Sequence, residues 1–198
     1  RRAGAGSLAV MPILRCRQGT STRSTATLPL EMREQLSEPA LGAVPLDAEG
    51  STWAVATASS LVVFNGRSGP ETHPWDEVEQ GSWDGQDRVF TLRWTQQDRE
   101  DLALKVPAGV RNGDAYVSAD VAPFAKALRQ RVEAAIIHSA VATLPSGATA
   151  TASVRRGGDG ELYSVSRPLI SQVDEAEDRR TLRELENRVR EGVGLPTR

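Results

Sequence analysis

Residues 52–96 read TWAVATASSLVVFNGRSGPETHPWDEVEQGSWDGQDRVFTLRWTQ, and all four tryptophans of the chain, Trp53, Trp75, Trp83 and Trp94, fall within them. Residues 53–57 and 60–64 are short β-rich runs, and Asn65-Gly66 then supplies a dipeptide that tolerates the positive φ of a tight turn. Residues 72–75 lead into a run over 78–83, and after the turn dipeptide Asp84-Gly85 the run 88–94 alternates almost residue by residue. Strand side chains point to opposite faces in turn, so Phe90, Leu92 and Trp94 are expected inside and Val89, Thr91 and Arg93 outside. Residues 102–106 complete a β-meander before Pro107.

On the N-terminal side, Met32-Arg33-Glu34-Gln35-Leu36 begins a short helical turn, and Pro39, Gly42 and Pro45 keep residues 36–46 extended. On the C-terminal side the period changes. Val121, Phe124, Ala125, Leu128 and Val132 recur at helical spacing, with Asp120 as candidate N-cap and Pro123 in the first turn. The β-branched residues from about Ala135 predict a strand, and 148–155 and 161–166 predict two more around the turn Gly157-Gly158-Asp159-Gly160. From Asp174 acids precede arginines along a stripe of Leu182, Leu185 and Val189, an order that suits the helix dipole. The expected fold is α+β: an antiparallel β-rich barrel or sheet with a capping helix, then extra strands and a C-terminal helix. Residues 1–31 read as a disordered basic extension, 32–170 as the α+β domain and 171–198 as helix and tail.

Composition narrows the functional classes. At 198 residues, 39% hydrophobic and 25% charged, the chain can bury a substantial core. Its longest apolar runs, such as 61–64 and 134–137, fall far short of the roughly 20 residues of a membrane span. Cys16 is the only cysteine, which excludes an intramolecular disulfide and suits a reducing, cytoplasmic setting. Residues 1–30 hold five arginines and no acid, leaving 19 basic against 26 acidic residues, a net charge of −7, in the remainder. An acidic body argues against nucleic-acid binding, which needs a basic footprint on phosphates. Pro12 and Arg15 interrupt the apolar stretch near the start, so it does not read as a secretory signal; of Met11 and Met32, Met32 is the preferred start.

Catalytic patterns are sparse. No glycine-rich phosphate loop, dinucleotide fingerprint, nucleophile elbow or zinc-binding helix motif can be read. His73 and His138 stand 65 residues apart in strand-like contexts and are expected to be structural. Asp76, Glu77 and Glu79 are carboxylates suited to hard cations but lack the dense spacing of a calcium loop. No cofactor and no metal are implied. Arg155 and Arg156 beside a hairpin turn read as a solvated edge that discourages aggregation.

The Trp-x-Val-Ala-Thr strand at 53–57, the following Leu61-Val62-Val63-Phe64, and Pro74-Trp75-Asp76-Glu77-Val78 after the turn resemble the bacterial pleckstrin-homology-like families. The similarity is greatest to a group of uncharacterised actinobacterial proteins with a Trp-Asp-Glu-Val segment, a Ser-Trp-Asp like Ser82-Trp83-Asp84, and a helix like Phe124-Ala125-Lys126-Ala127-Leu128-Arg129-Gln130-Arg131-Val132. The resemblance covers roughly residues 36–170 and implies a bent antiparallel sheet, closed or capped by a helix, used in general for binding and hardly ever for catalysis. The strands after the helix and the final helix depart from that plan. Phosphoinositide-binding members carry clustered cations beside the first hairpin, because phosphates need several charged donors. Here residues 58–60 have none and 65–70 only Arg67.

Trp83 and Trp94 are expected in the core, and Trp75, following a proline at a strand start, is expected to be partly exposed. The candidate recognition surface is therefore Trp75 and Asp76 with Asn65 and Arg67 of the 65–70 loop, and strand addition at an open sheet edge is a mode this architecture permits. The sequence reads as a non-catalytic binding or scaffolding module for a protein partner. Competing readings are a peripheral membrane adaptor and a small enzyme with a site at His138 or clustered carboxylates.

Overall fold

A computed structural model describes residues 25–66, 69–96 and 98–197. Helix α1 (Leu30–Glu34) precedes an antiparallel sheet of β1 (Gly42–Pro45), β2 (Trp53–Ala56), β3 (Ser60–Phe64) and β4 (Glu71–Pro74), paired in that order. A 3-10 turn over Trp75–Glu77 leads into a second antiparallel sheet of β5 (Val78–Asp84), β6 (Val89–Trp94) and β7 (Leu102–Lys105). The hairpin β8 (Gly109–Asn112) and β9 (Ala115–Ser118) comes next, then α2 (Ala122–Ala134). A third antiparallel sheet, β10 (Ile136–Thr143), β11 (Thr149–Arg156) and β12 (Leu162–Arg167), and α3 (Ala176–Glu191) complete the chain.

The fold is α+β with antiparallel sheets. The expected barrel does not close: among the described residues the sheets stay separate. Pro74, which has no N–H to continue a ladder, ends β4, and the turn over Trp75–Glu77 carries the chain out of the first sheet before β5 begins.

Side-chain alternation sets the main core. Phe90, Leu92 and Trp94 are buried as expected, together with Ala54, Leu61, Val63, Trp75, Val78 and Leu104, under Phe124, Leu128 and Val132 of α2. Val55, Val62 and Phe64 point to the other side of the first sheet, where they meet Leu28, Met32 and Leu36. Strands β2 and β3 are therefore buried on both faces and read as continuous apolar runs. Residues 25–31, read as part of a disordered extension, are ordered. The Ala26 N–H donates to Ser118 O at 2.8 Å and Leu28 is buried.

Close packing of α2 on the first sheet needs Gly42, since a Cβ there would stand 2.6 Å from backbone atoms of Pro123 and Phe124. Asp120 does accept the Ala122 N–H (3.0 Å), although Val121 is the residue at the cap position. The sequence reading has no hairpin β8–β9, yet Asn112 pairs with Ala115 so that the chain turns on Gly113-Asp114, with Gly113 at φ +61°, a glycine-first dipeptide that suits a two-residue hairpin loop. A second core lies between α3 and the third sheet, where Leu182, Leu185 and Val189 meet Ala150, Ala152 and Val154.

A polar cleft along a free strand edge

The residues singled out from the sequence do not form one site. Trp75 is 4% exposed, which corrects the expectation of partial exposure. Its N–H donates to Ser59 O (3.2 Å) and its indole Nε1 to Thr57 O (3.0 Å), because the turn after Pro74 directs the ring inward. Trp83, expected in the core, is half-buried against Phe90, ring centroids 4.2 Å apart. Asn65 donates to Glu71 Oε1 (2.8 Å) at the far end of the β3–β4 hairpin. Ser60 pairs with Pro74 and Val63 with Glu71, so β4 alone separates Asn65 from Trp75 by about 13 Å at roughly 3.3 Å per residue. Arg67 lies outside the described residues.

Asp76 does face a cleft, of about 630 Å³. One wall is Asp76, Glu77, Thr95 and Gln96; the other is Tyr163, Ser164, Val165 and Ser166 of β12, with Leu169, Ile170, Ser171 and Glu186 closing one side. Among the described residues strand β12 pairs only with β11 and its outer edge is free, and the cleft runs along it.

The outward face of the third sheet holds the walls in place. Register sets Arg155 opposite Tyr163 and Thr151 opposite Arg167, which aligns Arg155, Tyr163 and Arg167 toward the Trp75–Glu77 turn and the second sheet. Arg155 is 1% exposed and donates to the carbonyls of Glu79 (3.3 Å) and Val78, so it is a buried clamp and not the solvated edge expected. Arg167 grips the Glu79 carboxylate through Nε (2.8 and 3.0 Å) and Nη2, and also reaches Trp94 O (3.2 Å). The hydrogen bonds that the Arg167 guanidinium donates to the Glu79 carboxylate hold it above its ordinary pKa. Tyr163 Oη donates to Asp76 O at 2.5 Å, and burial raises the phenol pKa so that it stays a neutral donor. Asp76 Oδ2 accepts the Gly158 N–H at 3.1 Å.

The charged side chains lining the cleft are all acidic: Asp76, Glu77 and Glu186. Glu77 is held by Arg99 Nη1 (3.0 Å), which also lies over the Trp94 ring and donates through Nη2 to His73 Nδ1 (2.9 Å). Glu186 accepts from Ser164 Oγ (2.5 Å), and that hydroxyl accepts from Arg190 Nη1 (2.9 Å). Glu79, one of the three neighbouring carboxylates weighed as cation ligands, is thus paired with Arg167. Among the described residues no group of three His, Cys, Asp or Glu side chains is placed to hold a metal ion. His138 sits against Gly192 at the end of α3, where a Cβ would meet its ring at 3.0 Å. No helix among the described residues is long and apolar enough to cross a membrane.

The sequence marked Asp76 but missed Thr95, Gln96 and residues 163–166. The strand that holds residues 163–166 can be read from the sequence, but edge status belongs to the sheet and cannot be read from the strand's own residues. No protein-family model, curated protein or solved structure gives a significant match to this chain.

Proposed function

We propose that this protein is a non-catalytic binding module that accepts an extended segment of a partner protein in the cleft, as a strand added to β12. The observation carrying this reading is that four consecutive residues of a free strand edge form one wall of the cleft. Main-chain hydrogen bonds to such an edge supply affinity, and the alternating side chains supply specificity. With Asp76, Glu77 and Glu186 as the charged lining, a segment carrying lysine or arginine is favoured over an acidic one. A four-stranded and a three-stranded antiparallel sheet sharing one core under α2 support a pleckstrin-homology-like architecture for residues 36–134, a plan used for binding.

Selection from a displayed library of ten-residue peptides, followed by fluorescence anisotropy, tests the proposal. Basic extended sequences are expected, and Gln96→Trp, which places an indole at the exposed cleft wall, is expected to weaken them about tenfold or more, some 1.4 kcal/mol. Peptides that bind the Gln96→Trp protein as well as the wild type would place recognition elsewhere. Association with anionic vesicles and with no peptide would favour the membrane reading.

A further inference from the structure

We infer that β10 is a self-pairing edge through which two copies of this chain join their third sheets into one six-stranded antiparallel sheet. Strand β10 pairs only with β11, and among the described residues no backbone hydrogen bond engages its other edge. Protein edges are normally guarded by charge, proline or irregularity. Here β1 ends in Pro45, β4 carries Glu71 and Pro74, and β7 ends in Lys105. Strand β10 has one such device, the register shift between Ile136 and His138, and it guards only the start of the strand. The five residues that follow, Ser139-Ala140-Val141-Ala142-Thr143, carry neither charge nor proline.

Val141 is 67% exposed, while Ala140 and Ala142 turn the other way to pack on the core under α3. The neutral surface continues onto β11, where Thr151 stands opposite Val141 and Ser153 opposite Ser139. An uncharged edge has nothing with which to select a charged partner, but it is complementary to itself. A two-fold axis at Val141 sets Val141 against its own copy, Ala140 against Ala142 and Ser139 against Thr143. Each pairing matches size and polarity across the strands, and self-complementarity is what an isologous interface requires. Strand β12 keeps its cleft in such a dimer, since it occupies the opposite edge of the sheet.

Sedimentation equilibrium of the full chain from about 1 to 200 μM tests this. A reversible dimer is expected, with a dissociation constant little changed between about 0.1 and 1 M NaCl because no charges pair across the join. Val141→Lys places two like charges face to face at an exposed position and is expected to abolish the dimer while leaving the circular dichroism spectrum unchanged; Val141→Ile is expected to keep it. A wild-type monomer at 200 μM, or a Val141→Lys protein that still dimerises, overturns the inference. Peptide binding at the β12 cleft is expected to survive Val141→Lys, so the two proposals fail separately.

Discussion

Arg155 illustrates how far a side chain's environment can depart from its sequence neighbourhood. Next to Arg156 and a glycine-rich turn it reads as surface charge, yet it is buried across the backbone of β5, 77 residues away at Val78. Trp75 misleads in the same manner, since its burial depends on the carbonyl of Thr57 and on Pro74 ending a strand. Both outcomes rest on distant partners, which local periodicity does not encode. His73 yields a pH dependence. Burial first, and then the Arg99 charge, depress its imidazole pKa, and Nδ1 can accept from Arg99 only when unprotonated. The unfolded chain takes up a proton near the ordinary histidine value of about 6.5 while the folded chain resists, so folded stability is complete above that pH and declines below it. Urea unfolding between about pH 8 and pH 5 is expected to show that decline, and His73→Gln to flatten it. A variant whose pH profile matches the wild type would remove His73 as its source.

Elements were legible wherever periodicity was strong. The alternation of Phe90, Leu92 and Trp94 placed β6 correctly, face included, and the stripe of Leu182, Leu185 and Val189 placed α3. Pairing between elements was less visible. Nothing in residues 42–45 announces that α2 begins on top of them, but Gly42 leaves no room for a side chain there. Gly42→Ala must push α2 off β1 or deform its first turn, so a loss of about 1–3 kcal/mol is expected by chemical denaturation. Stability equal to the wild type would mean that α2 does not seat on β1 so closely.

At the level of the entire chain, two cores meet across a polar seam, and the seam creates the cleft. Arg167 reaches Glu79 over 88 residues and Tyr163 reaches Asp76 over 87. Those contacts set the β12 edge opposite Thr95 and Gln96, which explains why the fold class could be read from the sequence while most of the candidate site could not. The most direct measurement is amide hydrogen exchange of the protein with and without saturating selected peptide. Strand addition predicts slower exchange at outward-facing amides within residues 163–166, and loss of that protection in the Gln96→Trp protein. Unchanged exchange along β12, with protection appearing at another surface, would contradict the account.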